Sequence, residues 1–162
     1  MTASEWPEPV ERVAAFLRAA GVEARLEEFE EGTPTAEAAA QAVGCEPARI
    51  VKSLVFDCDG RAAVVLVPGD RRADSAKVAR ALGATRAKVA GRDEVLRATG
   101  FEPGAVAPFP LPLVERVLIE QSLLAHEQVW VGAGSTRHMA GLAPADLVRL
   151  AHAEPVDAVQ EG

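Results

Sequence analysis

Two apolar, strand-length runs separated by Asp59-Gly60 constrain this chain more than any other feature. Ile50 to Cys58 and Arg61 to Val67 read as strands, and an Asp-Gly pair between them is the two-residue turn of a tight β-hairpin. Near their centres both strands are apolar on both faces. The hairpin is therefore expected in the middle of a sheet that is covered on both sides.

The rest of the chain alternates short helical and extended patterns. Val10, Val13, Phe16, Leu17 and Ala20 recur at helical spacing and predict a helix from about Pro9 to Ala20, ended by Gly21. A short strand at Ala24 to Phe29 follows. A second helix covers about Pro34 to Val43, capped by Thr33 or Thr35, with Pro34 in its first turn and Gly44 as its stop. Its alanines allow close approach to a neighbour. After the hairpin and a Pro68-Gly69-Asp70 loop, Asp74 caps a helix to Leu82. A strand at Arg86 to Ala90 and a helix from Arg92 to Thr99 come next.

Phe101 to Pro112 holds Pro103, Pro108, Pro110, Pro112 and Gly104, which excludes regular helix or interior strand. Strands are expected at Arg116 to Glu120 and Glu127 to Val131, then a glycine turn, then a strand at Arg137 to Leu142. Pro144 opens a last helix to about Ala151. The tail after Glu154 reads as frayed and acidic. No repeat and no linker is visible. The expectation is one domain spanning residues 1–162, α/β or α+β, with a mixed sheet and not a doubly wound parallel one.

Composition narrows the function classes. At 162 residues the chain is long enough to close a core without disulfides. With 49% hydrophobic and 25% charged residues it is neither disordered nor fibrous. Aromatics are 4% and Tyr is absent, which argues against a base-stacking surface. A net charge of −7 argues against tight non-specific binding to DNA or RNA backbones, while leaving room for a local basic patch. Cys45 and Cys58 make no disulfide framework and no C-x-x-C site, so the chain reads as cytoplasmic and reduced. The acidic segment Met1 to Pro9, with Trp6 and two prolines, is no signal peptide. No apolar stretch approaches the roughly 20 residues of a membrane span.

Three places could carry chemistry. Lysine occurs only at Lys52, Lys77 and Lys88, and Lys52 shares a strand face with Ile50, Leu54 and Phe56. A lysine there must snorkel to an edge, pair with a carboxylate, or serve a site. The second place is the loop Thr99 to Phe109. Its backbone groups lack ladder partners and either bind a ligand or merely connect elements. The third is Gly132-Ala133-Gly134-Ser135-Thr136-Arg137-His138. It lacks the third glycine of a dinucleotide fingerprint and precedes a strand, so it is a hairpin turn or a pocket-lining loop. No G-x-S-x-G, P-loop, H-E-x-x-H or paired-carboxylate motif occurs. His126, His138 and His152 show no metal-ligand spacing, and Glu27, Glu28, Glu30 and Glu31 read as a solvated strand end.

Taken in order, Thr33-Pro34-Thr35-Ala36-Glu37-Ala38-Ala39, Ile50-Val51-Lys52-Ser53-Leu54-Val55-Phe56, Thr99-Gly100-Phe101, Gly104-Ala105-Val106-Ala107-Pro108-Phe109 and Gly132-Ala133-Gly134 resemble the YbaK/EbsC family. These are free-standing relatives of the editing domain of bacterial prolyl-tRNA synthetase. The likeness spans about residues 10 to 151.

The resemblance implies a mixed, curled sheet or partly closed barrel flanked by helices. It implies a trans-editing deacylase that hydrolyses the ester of mischarged aminoacyl-tRNA, tRNA-Pro among the candidates. The alternative is a non-catalytic module that keeps the pocket for an aminoacyl or nucleotide ligand. The family's essential lysine falls on Lys52 and its G-x-x-x-P loop on Gly104 to Pro108, so Gly104, Ala105, Val106, Ala107 and Pro108 join Lys52 as candidate catalytic positions. Thr33, Thr35, Gly100, Phe101, Gly132, Gly134, Ser135 and His138 are the candidate substrate contacts. Glu120 stands where many members carry Asp. The implied partners are the tRNA acceptor end and a synthetase, with no DNA, no membrane, no metal and no cofactor.

Overall fold

The computed structural model describes residues 6–33 and 35–161. The expected place of Pro34 in a first helical turn lies outside them, as does the part of the N-terminal reading that rests on residues 1–5. The chain runs α1 (Glu8–Ala20), β1 (Arg25–Glu28), α2 (Ala36–Val43), β2 (Ile50–Cys58), β3 (Arg61–Pro68), α3 (Ser75–Leu82), β4 (Ala87–Val89) and α4 (Arg92–Thr99). The second part holds β5 (Arg116–Glu120), β6 (Val129–Ser135), β7 (His138–Leu142), α5 (Pro144–Ala151) and β8 (Ala153–Val156).

All eight strands among the described residues join one mixed sheet in the order β1-β7-β6-β2-β3-β5-β8, with β4 also on β2. The hairpin β2–β3 lies in its middle. Asp59 and Gly60 take positive φ at 54° and 91°, as a two-residue turn with the strands' own twist requires. That turn sets the register: Cys58 faces Arg61 and Lys52 faces Val67.

Period-two alternation then sorts the side chains into two layers. Val51, Val55, Val64 and Leu66 enter the larger core under α1, α4 and α5, with Phe101, Phe109 and Leu147. On the opposite face Phe56, Val65 and Val67 meet Val78 of α3. Farther along that face, Ile50, Trp130 and Met139 meet Ala39 and Ala40 of α2. The small side chains of α2 permit this close seat. Both faces of the hairpin are covered over most of its length, which is why most of its positions are apolar.

Two expectations are corrected. Gly132 to Gly134 is not a turn. Strand β6 continues through it to Ser135, with a register shift between Gly132 and Ser135, and the reversal falls on Thr136-Arg137. The tail is not frayed either. Strand β8 pairs in parallel with β5, and Ala158 and Val159 are buried beside Val65 and Leu118. The Glu120 carboxylate, itself buried, accepts from the N–H groups of Ser122 at 3.0 Å and Ala158 at 2.8 Å. Glu120 therefore ties the tail down. The tail's apolar pairs are too short to show a period.

Candidate functional site

Strand β2 has a gap along one edge. It pairs with β6 only at Ile50 and Val51, and with β4 only from Phe56 to Cys58. Between them Lys52 to Leu54 has no neighbouring strand on that side. A cavity of about 260 Å³ opens at this gap, bounded by β2, the Gly104 to Val106 loop, the end of β6 and the start of α2. Main-chain groups at such a gap are available to a ligand.

Lys52 lines the cavity. It is half-buried on the strand face between Ile50, which packs on α2, and Phe56, which packs under α3. Its Nζ donates to the carbonyl oxygen of Arg71 at 2.8 Å. Burial pulls its pKa below the ordinary lysine value; the Glu37 carboxylate opposes this, and Arg72 adds to it. The next residue, Ser53, also lines the cavity, and its buried Oγ has no hydrogen-bond partner among the described residues.

The proline-rich loop enters from the other side. Gly104 and Val106 reach the cavity, with Gly104 at φ 83°. Ala105, Ala107 and Pro108 are buried but do not line it. The Ala105 N–H already donates to Glu102 O at 2.9 Å, which leaves the neighbouring amides as the candidate donors. Gly132 faces the loop closely: a Cβ there would stand 3.0 Å from the Val106 carbonyl oxygen.

Of the remaining candidates, Thr33, Thr35, Ser135 and His138 line the cavity. Thr33 ties the β1–α2 connection to the β6–β7 turn, its Oγ1 donating to Thr136 O at 3.0 Å. Thr35 is the cap of α2, accepting from Ala38 N–H at 3.1 Å. Ser135 Oγ lies 2.7 Å from His138 Nδ1 and accepts from Arg137 N–H at 2.9 Å. The Glu28 carboxylate stands 3.4 Å from Nε2, outside hydrogen-bond geometry. That carboxylate favours the tautomer protonated at Nε2, with Nδ1 accepting from the serine. The imidazole is only 3% exposed, and burial lowers its pKa below the ordinary value against the pull of Glu28.

Gly100, Phe101 and Gly134 lie outside the cavity. Arg12 of α1 donates to Gly100 O at 3.2 Å and sets its guanidinium 4.7 Å over the Phe101 ring, so this pair seats α1. Gly134, at φ 103°, packs on α1, and a Cβ there would stand 2.7 Å from the Pro9 backbone. The site also contains residues that sequence reasoning passed over. Ser53 lines it, and Arg71 accepts from its lysine, whereas Thr136, which also lines it, belongs to the loop read as pocket-lining. The hairpin register carried no signal for Arg71: it takes the chain after Pro68 past Ile50, whose carbonyl accepts from the Gly69 N–H at 2.8 Å, and only the loop beyond brings the Arg71 carbonyl to Lys52.

Among the described residues no group of three or more His, Cys, Asp or Glu could hold a metal ion, and no helix is long and apolar enough to cross a membrane.

Known proteins are similar to this chain in sequence and in fold. A solved structure described as a candidate trans-editing enzyme for prolyl tRNA synthetase superposes with a TM-score of 0.90. It covers 97% of this chain and 100% of that one, at 32% identity. The uncharacterized protein YwhH of Bacillus subtilis (strain 168) is 35% identical over 121 residues, 74% of this chain and 76% of that protein. A proline–tRNA ligase of Bacillus licheniformis is 33% identical over 121 residues, 72% of this chain. The match spans only 21% of that ligase's length. A family model described as the aminoacyl-tRNA editing domain matches residues 30–150. This chain belongs to the aminoacyl-tRNA editing domain family and has its YbaK-like fold.

Proposed function

We propose that this protein is a trans-editing deacylase that hydrolyses the ester of mischarged aminoacyl-tRNA, with tRNA-Pro the first carrier to test. The observation that carries the reading is the gap in β2, where the Lys52 ammonium, open strand backbone and the Gly104–Val106 loop converge on one cavity.

An aminoacyl ester is already activated, so positioning supplies much of the rate. Water adds to the ester carbonyl carbon and loses a proton, and the carbonyl oxygen becomes an oxyanion. Collapse re-forms the carbonyl, breaks the bond to the ribose oxygen and returns a proton to that oxygen. Lys52 holds the terminal phosphate or polarises the ester carbonyl. The amides of Gly104 and Val106 serve as donors to the oxyanion. The acceptor end of the tRNA is the part that enters, and a synthetase is the natural source of the mischarged substrate.

The test is deacylation of a panel of mischarged tRNAs by purified protein, alone and with prolyl-tRNA synthetase. Release of at least one amino acid above the spontaneous rate supports the reading. Binding of aminoacyl-tRNA without release on any member of the panel turns it to a non-catalytic module.

A further inference from the structure

The acceptor of the Lys52 ammonium, the Arg71 carbonyl, sits in the loop between β3 and α3. That loop is held from outside by the C-terminal tail. Arg71 Nη2 donates to Gln160 O at 2.6 Å, and the Gln160 N–H donates back to Arg72 O at 2.8 Å. The Gln160 side-chain amide reaches Ala73 O at 3.3 Å, and Ala73 and Val159 form an isolated antiparallel bridge. The Asp74 N–H donates to Ala158 O at 2.8 Å. Lys77 of α3 fastens the same segment, donating to Val159 O at 2.7 Å and to both carboxylate oxygens of Asp157. Buried Ala158 and Val159 anchor it to the sheet.

A lysine ammonium on four rotatable bonds is placed only as well as its acceptor is placed. Here the acceptor is a loop carbonyl, and the tail's hydrogen bonds fix that loop at the Arg71 side chain and at the three residues that follow it. We propose that residues 157–161 form a strap that positions Lys52 for the reaction through the Arg71 carbonyl, with Arg71 and Gln160 as positioning residues. The inference rests on the role proposed above for Lys52.

The experiment compares the wild type, a chain ending after Val159, and Arg71→Ala, each also combined with Lys52→Ala, in single-turnover deacylation. Strap variants are expected to lower kcat by about ten- to a hundredfold with KM within about twofold. In the Lys52→Ala background they change nothing further. A folded, shortened chain with wild-type kcat overturns the proposal, as does a loss of equal size in both backgrounds. A raised KM for Arg71→Ala that persists without Lys52 makes Arg71 a direct substrate contact instead. If the shortened chain does not fold, Arg71→Ala decides, because it leaves Ala158 and Val159 in place. Wild-type turnover by Lys52→Ala sinks the reading of the site itself.

A second readout needs no substrate. The chain has three lysines, so carbon-13 lysine labelling gives three ε-methylene signals. Loss of the strap moves the Lys52 signal and leaves Lys88 in place. An unmoved Lys52 signal overturns the strap even if no tRNA is deacylated.

Discussion

The carbonyl oxygen of Val106 stands 3.0 Å from where a Cβ on Gly132 would lie. The catalytic-loop candidate and the end of β6 are thus in contact only because position 132 has no side chain. Gly132→Ala must push the loop by a few tenths of an ångström. Stability is expected to fall by about 1 kcal/mol, at the low end of overpacking costs, and turnover by about tenfold or more. Thermal melts and single-turnover rates check this; unchanged turnover would detach the loop from the chemistry.

Lys52→Ala is expected to fold and to lose about a hundredfold or more in turnover, the scale of removing one electrostatic stabiliser. Lys52→Arg is expected to fail as well. A planar guanidinium cannot keep a compact ammonium's place beside the Arg71 carbonyl. Wild-type rates in folded Lys52→Ala would reassign the site.

Gly134 and Gly104 both take positive φ, yet they should respond differently. At Gly134 a Cβ meets the Pro9 backbone at 2.7 Å, whereas at Gly104 nothing lies within 4 Å. Gly134→Ala should cost at least about 3 kcal/mol, from strain and clash together. Gly104→Ala should cost about 1 kcal/mol and lower turnover more than stability. Equal melting temperatures for the two variants would contradict this placement.

His138 supplies a pH signature. Its folded pKa is held below the ordinary value by burial. The unfolded chain therefore takes up the proton first as pH falls. Its contribution to stability is complete above about pH 6.5 and is lost as pH drops toward the folded pKa. Wild-type melting temperature should fall more steeply than that of His138→Gln between about pH 7 and 5. Parallel curves would show that the imidazole titrates as it does in water.

With a net charge of −7, binding should be confined to the acceptor end. Few phosphates are then neutralised, and the affinity for tRNA should fall with salt at a slope matching about two or three phosphates. Acceptor-stem minihelices should be processed nearly as well as full tRNA. A steep slope or a need for the anticodon arm would contradict this.

The hairpin was legible in the sequence because its signals are local. Asp59-Gly60 dictates the turn, the turn dictates that Lys52 faces Val67, and apolar residues on both faces near the strand centres announce burial on both faces. Helix ends marked by Gly21, Gly44 and Asp74 were legible for the same reason, since caps act within one turn. The glycines of β6 were not. A glycine kept for close approach to Val106 or Pro9 looks the same in sequence as one kept for a turn. The tail was not legible either, because its order comes from partners far away in the chain, Glu120, Lys77 and Arg71. Sequence by itself determined the central hairpin and most of the other strands and helices, though not β8 or the glycine end of β6, and singled out the one lysine on a buried strand. Only the tertiary structure decided which polar groups surround that lysine, because the gap in β2 and the carbonyl that receives its ammonium arise from long-range pairing, which leaves no local period to read.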